Sequence, residues 1–142
     1  MTIKAILQHK GSAVFSIGSA ATLAEAAATL ADKRIGAVVI VDGEQLVGIL
    51  SERDVVRRVG ERGPSALEET VADTMTKRVE VCSLEDSIGS VMQRMTQSRF
   101  RHMPVVEDGR LLGIISIGDV VKERIDEAER ERDDMRNYIL NG

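Results

Sequence analysis

The chain has 142 residues, a formal net charge of −4 and a single cysteine. A domain of ~150 residues buries ~68–70% of the surface of its unfolded chain, so this length supports a core without disulfides. Cys82 alone excludes a disulfide framework and a multi-cysteine zinc site and points to a reducing compartment, while the acidic balance and the sparse aromatics Phe15, Phe100 and Tyr138 argue against a nucleic acid partner. The segment from Met1 to Ile6 lacks the apolar core of a secretory signal, and no apolar run approaches the ~18 residues of a membrane span. A cytoplasmic protein with no membrane partner is the expectation.

Internal repetition organises the chain. Thr2-Ile3-Lys4-Ala5-Ile6-Leu7 answers Thr70-Val71-Ala72-Asp73-Thr74-Met75, each lead-in followed by a basic turn, Lys10-Gly11 and Lys77-Arg78. The alternating runs Val14-Phe15-Ser16-Ile17 and Val79-Glu80-Val81-Cys82 predict half-buried strands. Thr22 with Glu25 and Ser83 with Asp86 then present the same helix-start signal, a hydroxyl cap and an acidic residue three positions on. Because these two signals are offset by 61 positions (83 − 22) and later features by 65, the second of these helices is expected to be the longer.

Each helix leads to a strand pair. Ala37–Val41 and Leu46–Leu50 flank Asp42-Gly43, and Met103–Val106 and Leu111–Ile115 flank Asp108-Gly109, where glycine accepts the positive φ of a tight turn. Pro104 lacks a ladder donor and suits the start or edge of a strand. A short helix is expected from about Glu52 to Val59. A longer one begins at about Ile117 and carries Val121, Ile125, Ala128, Met135 and Ile139 at helical spacing.

The strand ends carry the most specific signal. Gly48-Ile49-Leu50-Ser51-Glu52-Arg53-Asp54 and Gly113-Ile114-Ile115-Ser116-Ile117-Gly118-Asp119 share glycine, serine and aspartate at one constant offset of 65 (113 − 48, 116 − 51, 119 − 54). With the element order strand, helix, strand, strand, helix occurring twice, the chain resembles a tandem pair of CBS domains, the Bateman module. It is similar to bacterial stand-alone CBS-pair proteins of the signal-transduction type. The resemblance implies an α/β (α+β) fold of two βαββα repeats packed about a pseudo-two-fold axis, with an extended C-terminal helix. Repeat 1 is placed over 1–61, a linker over 62–69, repeat 2 over 70–122 and the helical extension over 123–142. It further implies an adenosine-containing regulatory ligand (AMP, ADP, ATP, NAD(H) or S-adenosylmethionine) in clefts between the repeats, no required metal, a homodimer and an unidentified protein target.

The residue chemistry is compatible with a nucleotide. Gly48 and Gly113 permit close approach of a ligand or another backbone. A helix N-terminus with a serine hydroxyl offers donors to phosphate, assigning Ser51 and Ser116 to that role. Asp54 and Asp119 accept from the two vicinal hydroxyls of a ribose. The same Ser-x-x-Asp is also an ordinary capping box, stabilising its helix by ~0.5–2 kcal/mol. Arg53 stands at a helix start, where a cation is unfavourable unless an anion lies nearby, and is a phosphate candidate; its counterpart is Gly118. Arg101 and His102 occupy the positions of Gly36 and Ala37 and resemble phosphate ligands of nucleotide-binding CBS proteins, including the regulatory γ subunit of AMP-activated protein kinase. Ile35, Gly36, Ala37, Val38, Met103 and Pro104 are the candidate adenine slot. Cys82 reads as a small buried hydrophobe.

No nucleophile–base motif is present, and a TIM barrel alone needs ~200 residues or more, so the chain is read as non-catalytic. A ligand-free dimerisation module regulating a partner protein is the alternative.

Overall fold

The repeat offset of 65 holds from the first repeat's long helix onward in the computed structural model, which describes residues 1–11 and 13–141. Helix α1 is Ile3–Lys10 and strand β1 is Ser16–Ile17. Then follow α2 (Leu23–Lys33), β2 (Ala37–Asp42), β3 (Gln45–Ser51) and α3 (Glu52–Arg62). After the 3-10 turns Pro64–Glu68 and Val71–Asp73 come α4 (Ile88–Ser98), β4 (His102–Glu107), β5 (Arg110–Ser116) and α5 (Ile117–Asn141). The starts of α4, β4, β5 and α5 lie 65 positions beyond those of α2, β2, β3 and α3 (88 − 23, 102 − 37, 110 − 45, 117 − 52).

This constancy corrects one expectation. Helices α2 and α4 are both 11 residues long, so the second is not the longer. Thr22 does cap α2, with Thr22 Oγ1 accepting from the Glu25 N–H and the Thr22 N–H donating to Glu25 Oε2. Ser83, by contrast, opens a turn, in which its N–H donates to Asp86 Oδ2 at 2.9 Å. The helix starts one turn later, where Ser87 Oγ accepts from the Ser90 N–H at 3.1 Å. A hydroxyl and an acid three apart satisfy the same local hydrogen bonds in a turn as at a helix start.

The run Val79–Cys82 also departs from expectation. Its strand character shrinks to one parallel bridge, Cys82 with Val105, flanked by Cys82 N–H to Pro104 O and Val106 N–H to Cys82 O. That bridge is the counterpart of Ile17 with Ile40, where β1 does form, pairing parallel to β2. Strands β2 and β3 are antiparallel, as are β4 and β5. The expected Asp42-Gly43 turn is shifted as well: Asp42 is the last residue of β2, paired with Gln45, and its carboxylate accepts from both the N–H and the hydroxyl of Ser19.

The chain divides into two compact units, whose boundaries differ from those of the sequence repeats. One unit is Ala13–Glu80; the other joins the N-terminal segment to everything from Val81 onward. Each lead-in therefore packs in the unit of the other repeat, not the one that it was expected to open. In the first unit, Val71 N–H donates to Ala21 O and Leu23 N–H to Glu69 O, and Thr22 bridges Thr70. Val71 joins Leu23, Ala26, Leu30, Val38, Ile40 and Leu50 in the core. In the second, Ile3 N–H donates to Asp86 O and Ile88 N–H to Met1 O, and Thr2 bridges Ser87. There Ile3, Ile6 and Leu7 pack among Ile88, Val91, Met95, Met103, Val105 and Ile115. Burial of fully apolar side chains at ~1.5–3 kcal/mol each makes these lead-ins integral to each unit's stability.

The two motif glycines record this exchange. A Cβ on Gly48 would stand 2.5 Å from Met75 Sδ and 3.1 Å from Thr76 O, and one on Gly113 would stand 2.8 Å from Leu7 Cδ2. The close approach expected at these positions is made by the lead-ins rather than by a ligand. Thr76 and Ile49 complete it by exchanging both backbone hydrogen bonds.

Candidate functional site

Both Ser-x-x-Asp motifs fold as complete capping boxes at the start of a helix. Ser51 Oγ accepts from the Asp54 N–H at 3.3 Å, and Asp54 Oδ2 accepts from the Ser51 N–H at 2.8 Å. Ser116 and Asp119 repeat the arrangement at 3.1 and 2.8 Å. One carboxylate oxygen of each aspartate is thereby committed to its own helix, and the other is not part of the box.

Strand register places the remaining candidates beside the boxes. Ala37 lies opposite Ser51, and the Gly36 carbonyl accepts from the Glu52 N–H at 2.9 Å. In the second unit His102 lies opposite Ser116, and the Arg101 carbonyl accepts from the Ile117 N–H at 2.8 Å. The basic pair and the glycine-alanine pair thus occupy equivalent places at the mouth of each motif. Arg53 and Arg101 are exposed, and His102 is half-buried.

The adenine-slot candidates divide. Ile35 and Gly36 are half-buried, whereas Val38 and Met103 have no exposed surface and belong to the two cores. Ala37 and Pro104 are buried too. The side chains of Val38 and Met103 pack in the two cores, turned inward by alternation along β2 and β4.

The clefts beside the two aspartates differ. Asp119 borders a cleft of about 430 Å³ lined also by His9, Lys10, Lys122 and Glu123. Lys10 Nζ donates to Asp119 Oδ2 at 2.6 Å and to the Ile114 carbonyl at 2.8 Å. Glu123, buried on α5, has its carboxylate 3.4 Å from His9 Nδ1 and 3.3 Å from Arg130 Nη2. Asp54 borders a cleft of about 160 Å³ lined by Arg57, Arg58, Glu61, Asp73 and Thr74. There the nearest cation is Arg57, whose Nη1 lies 3.8 Å from Asp54 Oδ1, while Arg58 is engaged by Glu69 at 2.9 Å.

Electrostatics follow from these contacts. Partial burial pushes the Asp119 carboxyl up, but the Lys10 ammonium and the Ser116 N–H outweigh it and hold the group below the usual carboxylate range. Burial pushes the Cys82 thiol up to about 12, the state of an unreactive core thiol. Sequence reasoning missed Lys10 and Glu123 as members of the Asp119 site. The Lys10-Gly11 turn was the only signal, and nothing local points across 109 positions to Asp119.

Among the described residues, no group of three His, Cys, Asp or Glu side chains is placed to hold a metal ion, and no helix is long and apolar enough to cross a membrane. A duplicated helix–strand–strand–helix unit, with a serine–aspartate box at the start of each closing helix, defines a tandem-repeat module. The chain belongs to the CBS domain family, which matches residues 10–61 and 71–126. It is 45% identical to the CBS-domain protein ATU1752 of Agrobacterium tumefaciens, with a TM-score of 0.85 over 87% of this chain and 99% of that one. The CBS domain pair of protein MJ0100, solved in complex with methylthioadenosine and S-adenosyl-L-methionine, is 25% identical, with a TM-score of 0.77 over 86% of this chain and 98% of that one. The mitochondrial protein CBSX3 of Arabidopsis thaliana is 36% identical over 126 residues, which are 85% of this chain and 61% of that protein. The chain thus spans less than two thirds of that relative's length.

Proposed function

We propose that this chain is a non-catalytic sensor of adenosine-containing nucleotides. The observation that carries the reading is the presence, at the strand–helix junction of each unit, of an exposed arginine and of an aspartate that keeps one carboxylate oxygen outside the capping box. That oxygen accepts from the vicinal hydroxyls of a ribose. Ser51 or Ser116 and the adjoining helix N-terminus face the phosphate. In the first unit Arg53 supplies the countercharge, and in the second Arg101 and Lys10 do, with His102 as a further phosphate contact. Ile35 and Gly36 border the base. The ligand bound by the CBS pair of MJ0100 supports the adenosine class, and AMP, ADP, ATP and NAD(H) are the members that the cations favour.

The two sites are unequal. The Asp119 cleft has the volume of a small-molecule site, ~300–1,000 Å³, whereas the Asp54 cleft falls below it. The Asp119 site is therefore expected to fill first. The protein works as a homodimer in the cytoplasm and passes the ligand state to a protein target. Val56 and Val121, equivalent positions on α3 and α5, are both exposed and offer the apolar surface for self-association.

A thermal-shift panel with AMP, ADP, ATP, NADH and S-adenosylmethionine tests the reading. A ligand at ~100 times its Kd stabilises the fold by ~2.7 kcal/mol, seen as a raised Tm. No shift with any of these at millimolar concentration would leave the ligand-free dimerisation module as the function.

A further inference from the structure

Residues 128–141, the last part of α5, are exposed at every position. An isolated helix of ~12–15 residues is marginal in water, so a helix of this length with an apolar stripe needs a covering surface. Val121, Ile125, Ala128, Arg132, Met135 and Ile139 follow one another at spacings of 4, 3, 4, 3 and 4, the a/d pattern of a heptad with Ile125, Arg132 and Ile139 at a. Met135 and Ile139 are 63% and 71% exposed, and the stripe runs on into the apolar groove formed by Ile117, Val121 and Ile125.

The flanking charges choose the occupant. With Ile125 at a, the g positions are Arg124 and Glu131 and the e positions Glu129 and Arg136. Against a second copy in parallel, each g residue meets the e residue five positions on in its partner, giving Arg124 with Glu129 and Glu131 with Arg136, both attractive. Arg132, the one polar a residue, stands beside the partner's Glu131, which offsets its charge. The antiparallel register that uses all six layers sets Glu129 against Glu129, Glu131 against Glu131 and Lys122 against Arg136, all repulsive. A single polar a residue also favours a defined two-stranded register.

We infer that the segment from Ile125 to Ile139 of α5 forms a parallel two-stranded coiled coil with the same segment of a second copy of this chain. This rests on the homodimer proposed above and names the element that sets its orientation. The experiment uses the full chain. Light scattering on the unmodified protein reports a dimer, and Met135→Cys, at a d position, cross-links to itself under mild oxidation. Asn137→Cys, on the outer face, does not. Arg136→Glu raises the dimer Kd by roughly tenfold, because two symmetric attractive pairs become repulsive, and Glu131→Arg in that background restores it. A dimer in which Met135→Cys cross-links no better than Asn137→Cys overturns the coiled coil and leaves the homodimer standing. A monomeric unmodified chain overturns both, while the nucleotide panel judges the sensor reading separately.

Discussion

Lys10 Nζ lies 2.6 Å from Asp119 Oδ2, an ion pair that joins the end of α1 to the first turn of α5. It exists because the first lead-in packs in the unit built from the second repeat. With its partner in place, the Asp119 carboxyl is held below its ordinary value of 3.8. A carboxyl depressed in the folded state contributes stability that is fully present above the unfolded value and is lost as pH falls through the folded one.

Lys10→Met is therefore expected to raise the Asp119 pKa, since partial burial remains and its main opposing cation is gone. Carboxyl chemical shifts followed by NMR between pH 2 and 6 report the rise. Relative to the unmodified chain, the variant is less stable at neutral pH, and the difference narrows as pH falls through the Asp119 titration, below which both carry a neutral Asp119. An unchanged Asp119 titration would show that the ion pair is not maintained in solution.

Asp54→Ala and Asp119→Ala each remove one reciprocal capping bond, and each is expected to cost about 0.5–2 kcal/mol in urea unfolding. In nucleotide calorimetry the two variants separate: Asp119→Ala abolishes the tighter event, and Asp54→Ala affects only the weaker. If both variants lose stability yet bind as the unmodified chain does, the aspartates are helix caps and nothing more.

Gly48→Ala and Gly113→Ala probe the exchanged lead-ins. Overpacking of this kind costs ~1–3 kcal/mol. The alanine at 48 meets Thr76 backbone as well as Met75, and that at 113 meets only the end of the Leu7 side chain. Gly48→Ala is thus the more destabilising of the two by chemical denaturation. Leu7→Ala combined with Gly113→Ala should cost less than the two changes summed, because the second methyl enters the space vacated by the first side chain.

Cys82 is buried, with its thiol pushed up to about 12. At pH 8 the native protein is expected to react with a disulfide reagent only through unfolding, so labelling accelerates in urea in step with the loss of structure. Rapid labelling in buffer would mean that the Cys82 bridge to Val105 opens locally.

The sequence alone determined the duplication, the strand pairs, the long closing helix and the place of both serine–aspartate boxes, because these are local patterns whose hydrogen bonds close within a few residues. It misplaced the start of α4, since Ser83 with Asp86 and Ser87 with Ser90 both satisfy a first-turn backbone group, and only burial of Ile88 beside Ile3 in the core selects the later start. Tertiary structure alone decided which unit each lead-in joins, that Leu7 and Met75 fill the space over the motif glycines, and that Val38 and Met103 belong to the cores. It also brought Lys10 to Asp119. The two lead-ins look interchangeable as strings of residues, and their assignment depends on apolar surfaces that meet only once the helices and sheets have formed.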